Sequence, residues 1–166
     1  MDNHRNNRLL WDEEDLARRK SVPDAEIANN KRNIDGFNQK RNDAIERIDE
    51  ALLASLDAVT RMPGSRLSSE TAGGMIDRLS ILSLKIRSMR LQTERTDVGQ
   101  DHIDTCKAKL ARLIEQRGDL AGCLDRLLDE ASRGESFFKV YRQFKMYNDP
   151  ALNPAVYGET WGEKKP

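Results

Sequence analysis

"VGQDHIDTCKAKLARLIEQRGDLAGCLDRLLDEASRG", Val98 to Gly134, places Ile103, Cys106, Leu110, Leu113, Leu120, Leu124, Leu127 and Ala131 at alternating intervals of three and four residues. Arg117 is the one exception in the register. Such alternation lays a single apolar stripe along a helix. Asp97 and Gln100 match a capping box at its start, and Gly134 is a stop signal at its end. A helix is therefore expected from about Val98 to Arg133. A rod of that length cannot bury its stripe alone, so the fold must be a bundle.

Upstream, "LSSETAGGMIDRLSILSLKIRSM", Leu67 to Met89, is the most apolar run in the chain. Thr71 is a candidate N-cap for a helix from about Ala72 to Arg95. Its Ile76, Leu79, Ile81, Leu82, Leu84 and Ile86 cover most of the circumference, which marks a central helix packed on several sides. Before it, Ser21 can cap and Pro23 suits a first turn, so a helix is expected from about Val22 to Arg61. Its line runs Ile27, Lys31, Ile34, Asn38, Arg41, Ile45, Ile48, Leu52, Leu56, Val59, and Met62-Pro63-Gly64 ends it. A first helix spans about Asn3 to Arg19, with Leu9, Leu10, Trp11 and Leu16. Phe138, Tyr141 and Phe144 suggest a short fifth helix, Glu135 to Tyr147. The last residues, rich in proline and glycine, read as an extended or disordered tail. The expectation is an all-α bundle of four to five helices over 1–148, with two long antiparallel helices, and a tail over 149–166.

Composition narrows the partners. Lys+Arg is 28 and Asp+Glu is 28, so there is no electrostatic footprint for nucleic acid. No apolar run is long enough to insert in a membrane, and the first residues lack a signal-peptide apolar core. Cys106 and Cys123 stand too far apart on one helix to bridge. These features suit a reduced, cytoplasmic protein. Long apolar stripes need more cover than one small chain supplies, which points to a homo-oligomer, most simply a homodimer.

The charges are the puzzle. The Val22–Arg61 helix breaks its apolar line at Asn38 and Arg41, with Asp35, Asn42, Glu46 and Asp49 alongside. The Val98–Arg133 helix breaks at Arg117. If the two rods lie antiparallel and centred, these breaks meet, and Asp77 and Arg78 join them from the central helix. Buried charges must pair, so Arg41 or Arg117 is expected against Asp35, Asp49 or Asp77. Such a layer can serve register and partner choice, or it can be a ligand or metal site built from facing helices. A third reading leaves these residues solvated.

"SSETAGGMIDRLSILSLKIRSM" and "FKVYRQFKMYNDPALNP" resemble the DUF4254 family, a bacterial helical domain of unknown function. The family's early W…ED..R segment is matched by Trp11, Glu14, Asp15 and Arg18. Its K..ID..NQ.RN..IE.ID segment is matched by Lys31, Ile34, Asp35, Asn38, Gln39, Arg41, Asn42, Ile45, Glu46, Ile48 and Asp49. Its SET.G..IDRLSIL.LKI..M segment is matched by Ser69, Glu70, Thr71, Gly73, Ile76, Asp77, Arg78, Leu79, Ser80, Ile81, Leu82, Leu84, Lys85, Ile86 and Met89. Ala72 replaces a frequent proline, and Arg87 and Ser88 stand where members often carry an aromatic residue and a histidine. The resemblance implies a helical fold and a setting beside glycosyltransferases of surface-polysaccharide synthesis. It implies no reaction.

Two functional classes follow. The first is a binding or scaffold module without a cofactor, with a glycosyltransferase as a possible protein partner. Its candidate residues are the polar layer together with Glu70 and Thr71, where the amides opening the central helix suit an anion. The second is a Mg²⁺-dependent enzyme similar to the all-α nucleotide pyrophosphohydrolases. There Asp12 and Asp15 would face Glu46 and Asp49 across a metal, since carboxylates at i, i+3 share a helix face. His102 and Cys106 lack the further partners a zinc site needs.

Overall fold

The computed structural model describes residues 2–144 and Leu152. Four helices account for most of it: α1 (Asp2–Ala17), α2 (Asp24–Ser55), α3 (Ala72–Thr93) and α4 (Gln100–Ser132). Two short strands, β1 (Arg66–Leu67) and β2 (Ser136–Phe137), pair in parallel. The all-α bundle is as the apolar stripes require.

The helix ends differ in detail from the sequence reading. Pro23 itself is the N-cap of α2, in extended conformation, and Ser21 is not part of the cap. Gly99 caps α4 without a side-chain bond, because Asp97 is held by the Arg95 guanidinium at 2.6 and 2.9 Å. Thr71 does cap α3, its Oγ1 accepting from the Gly74 amide at 3.0 Å.

Chain direction follows from contacts. Asp2 pairs with Arg47, whereas Glu13 accepts from Asn30 and Asn33, so α1 and α2 are antiparallel. Asn3 reaches Asp77 and Asn7 reaches Ser80, so α3 runs parallel to α1. A short connection returns the chain along α3 as α4. The order is up-down-up-down, and α2 and α4 therefore point the same way. The expected antiparallel pairing of the two long helices is corrected: α4 packs on α3, and α3 stands between α4 and the α1–α2 pair. Parallel β1 and β2, each following a long helix, close the end where both finish.

That end holds a core of Ala72, Met75, Leu120, Leu127 and Phe138, with Leu52, Leu53, Leu56 and Leu124 packed around it. Along the stripe of α4, Ile103, Cys106, Leu120, Leu127 and Ala131 are buried. Cys106 and Cys123 are both free thiols. Among the described residues no helix is long and apolar enough to cross a membrane.

The fifth helix is not formed over its described part. Gly134 turns the chain at φ 77°, and residues 136–137 become β2. The carbonyls of Gly134, Glu135 and Phe137 accept from the amides of Met62, Arg66 and Ser68. The aromatic spacing was that of a helix, yet only Phe138 is buried, and Tyr141 and Phe144 are exposed. Pairing to the 62–68 connection gives this backbone the hydrogen bonds a helix would have supplied. Residues 145–147 of the expected helix lie outside the described residues, as does the expected tail apart from Leu152.

Candidate functional site

α1 enters the bundle through amides. Asn3, Asn6, Asn7 and Leu10 occupy the i, i+3, i+4, i+7 positions of an inward stripe, and all four are buried. Their counterpart is Asp77 on α3, also buried. Its Oδ1 accepts from Asn3 Nδ2 and from Asn7 Nδ2, each at 2.8 Å. Ser80 Oγ lies 3.1 Å from Asn7 Nδ2 and 2.8 Å from His4 Nδ1. The charge inside the apolar run of α3 is therefore matched by neutral amides of α1, not by an arginine.

A second buried carboxylate joins α2 to α3. Asp49 is 2% exposed, and its Oδ1 accepts from the Gly73 amide at 2.6 Å. The Thr71 hydroxyl favours its charged form. This is an anion at a helix N-terminus, where backbone N–H groups and the helix dipole favour negative charge. The place read as a docking point for an external anion thus holds the protein's own carboxylate.

Burial pushes the Asp49 carboxyl up, the Thr71 hydroxyl and the bond from Gly73 oppose this, and the nearby charge of Glu46 adds to it. The net position lies above the ordinary 3.8. With the folded value raised, the native state binds more protons than the unfolded chain between 3.8 and that value, so this contribution to stability falls as pH rises through the window. Asp49→Asn keeps an acceptor for Gly73 and lacks the titration. Urea unfolding from pH 3 to 7 should show wild type losing stability relative to Asp49→Asn on leaving acid. Parallel pH profiles for the two proteins would contradict the assignment.

The other expected members disperse. Asp35 is exposed and pairs with Lys31 at 2.6 Å. Arg78 is exposed and pairs with Glu70. Arg117 is exposed on α4. Its neighbour Gln116 shares a groove with Lys85, so Arg117 stands at the expected height but on an outward face. Asn42 is buried. Glu46 accepts from Arg142 at 2.7 Å and from the Gln143 amide at 3.0 Å. Burial raises its pKa, but these bonds and the Arg142 charge outweigh that, leaving it below the ordinary 4.5. One continuous layer is replaced by two separate carboxylate centres, because α4 does not face α2.

The acid pairs weighed for Mg²⁺ are also apart. Glu13 sets Asp12 and Asp15 beside Asn30 and Asn33, and Asn30 and Glu46 are 16 residues apart on α2, about 24 Å along the axis. Asp12 pairs with Arg8, and Asp15 with Arg18. Among the described residues no group of three or more His, Cys, Asp or Glu side chains is placed to hold a metal ion.

What does assemble is a cleft of about 290 Å³ between α1, α2 and α3. Asn7, Trp11, Glu14, Asp15 and Arg18 line it from α1, Asn38 and Arg41 from α2, and Ile81 and Leu84 from α3. Arg18 is neutralised by Glu14 at 2.9 Å and Asp15 at 3.4 Å. Arg41 is half-buried, and its Nε is buried without a hydrogen-bond partner. A buried donor left unpaired costs about 1–3 kcal/mol, so an arginine so placed is set to receive an acceptor. Asn38 and Arg41 were legible as breaks in an apolar line. Glu14 and Arg18 entered as site residues only through the family resemblance, while Asp15 was read as a Mg²⁺ ligand and Trp11 as a neighbour of the first helix's apolar stripe. Asn3 and Asn7 were missed, although their spacing with Leu10 is that of a buried stripe.

Fold and site together define an up-down-up-down helical bundle whose first three helices form a cleft of mixed charged and apolar lining. The chain belongs to the DUF4254 family, a protein family of unknown function, which it matches over residues 1–140. No curated protein and no solved structure matches it.

Proposed function

We propose that the protein is a binding module whose α1–α2–α3 cleft takes a small polyhydroxylated oxyanion, an acidic or phosphorylated sugar. The observation that carries this is Arg41, which lines the cleft and whose Nε is buried without a hydrogen-bond partner. A guanidinium matches the two oxygens of a carboxylate or phosphate in its fork. The carboxylates of Glu14 and Asp15 and the amide of Asn38 suit hydroxyl groups, and Trp11 offers an apolar ring wall. Such ligands are the currency of surface-glycan synthesis. In this reading the protein works in the cytoplasm as a homodimer beside a glycosyltransferase, presenting or sensing a sugar rather than transforming it.

Thermal unfolding with glucuronate, glucose 1-phosphate and glucose tests the reading. A ligand at 100 times its Kd adds about 2.7 kcal/mol, a rise of roughly 5–11 °C for a chain this size. The two anionic sugars should raise Tm, and glucose should not. Arg41→Ala should abolish the rise while leaving the ligand-free protein at least as stable, because it removes an unpaired buried donor. No shift with either anion, or an undiminished shift in Arg41→Ala, overturns the assignment.

A further inference from the structure

On the other side of Trp11, α3 and α4 form a second groove, of about 400 Å³. α3 contributes Lys85 and Met89, and α4 contributes Lys109, Arg112 and Leu113, at i, i+3 and i, i+4 spacings that keep each set on one face. Trp11, Met89 and Leu113 make an apolar floor, and the three cations stand around it exposed. No carboxylate lines the groove. Among the described residues none of the three cations has an ion-pair or hydrogen-bond partner, whereas Lys107 on the same helix and Arg133 at its C-cap are paired with acids.

We infer that this groove is a separate binding site for a nucleoside phosphate, with the base on the apolar floor and the phosphates among Lys85, Lys109 and Arg112. A flat ring over Trp11 removes apolar surface from water on both sides. Phosphate oxygens match arginine in bidentate fashion and lysine as point charges. The residues of α3 that line the groove span two helical turns, about 10 Å, the length of a nucleotide and too short for a docked helix. An inorganic anion would leave the floor unused, and a neutral aromatic would leave the cations without a counter-charge. The inference rests on side chains other than Arg41 and holds whether or not the first cleft binds a sugar.

The test is isothermal calorimetry on the full chain with uridine diphosphate, adenosine diphosphate, uridine and inorganic phosphate. At least one diphosphate should bind, more tightly than uridine or phosphate, and should weaken as salt is raised. Lys109→Ala combined with Arg112→Ala should weaken it about tenfold or more. Both residues are exposed, so the variant folds. Arg41→Ala should leave this affinity unchanged, which separates the two sites. The inference falls if neither diphosphate binds, if phosphate alone binds as well, or if the double variant binds as wild type does.

Discussion

Gly73→Ala is expected to destabilise the protein by about 3 kcal/mol, lowering Tm by roughly 6–12 °C. The sign is the informative part. In an ordinary helix the same change stabilises by up to about 1 kcal/mol, because alanine loses less backbone entropy. Here a Cβ would stand 2.6 Å from the Ile45 carbonyl oxygen and 2.8 Å from Asp49 Oδ1. The first is backbone inside α2 and cannot rotate away. α3 must move off α2, and the 2.6 Å bond from the Gly73 amide to Asp49 goes with it. The buried carboxylate then loses its backbone donor. Gly36→Ala is the control, since nothing lies within 4 Å of a Cβ there. It should raise Tm slightly. If Gly73→Ala also raises Tm, the close approach of α2 and α3 is wrong.

Asp77→Ala is expected to cost a similar amount, about 3 kcal/mol, by a different route. The carboxylate is the common acceptor for Asn3 and Asn7, and all three residues are buried. Without it the buried Asn3 amide loses its acceptor and Asn7 keeps only its longer bonds to Ser80 Oγ and Asn3 Oδ1, each lost bond costing about 1–3 kcal/mol. The damage should concentrate in α1, whose attachment to α3 runs through these bonds. Its polar ties to α2, Glu13 to Asn30 and Asn33 and Asp2 to Arg47, survive. Hydrogen exchange should therefore speed up in residues 2–10 well before α4 is affected. Asp77→Asn retains an acceptor oxygen and should recover much of the loss. Uniform acceleration across all four helices would show instead that α1 is not held separately.

Much of this architecture was legible in the chain. The three–four alternation of α4 marked a bundle helix, and Thr71 was a correct cap. Pro63 and Gly64 marked the break after α2, though the helix ends earlier, at Ser55. Residues 56–58 are already turns, and the Met62 amide donates to the Gly134 carbonyl before the chain reaches the proline. The candidate site was legible in pieces. Asn38 and Arg41 announced themselves by interrupting an apolar line, with Asp49 alongside it, and Asp77 by sitting inside the most apolar run. Their partners were not legible, because asparagine at a buried position looks in sequence like asparagine at the surface.

Periodicity records which face of each helix is turned inward, and that is a property of the sequence alone. It determined the helices, their stripes and the presence of polar groups among them. Which face meets which was decided by connectivity and direction in space. With α3 running beside α1 and α4 returning along α3, the two long helices point the same way and do not share a polar layer. Asp77 found the amides of α1, Asp49 found the first turn of α3, and Arg117 was turned to solvent. Arg41 was left lining a cleft with a buried donor unmet. A buried charge needs a partner within hydrogen-bond reach, and that distance exists only once the chain has folded.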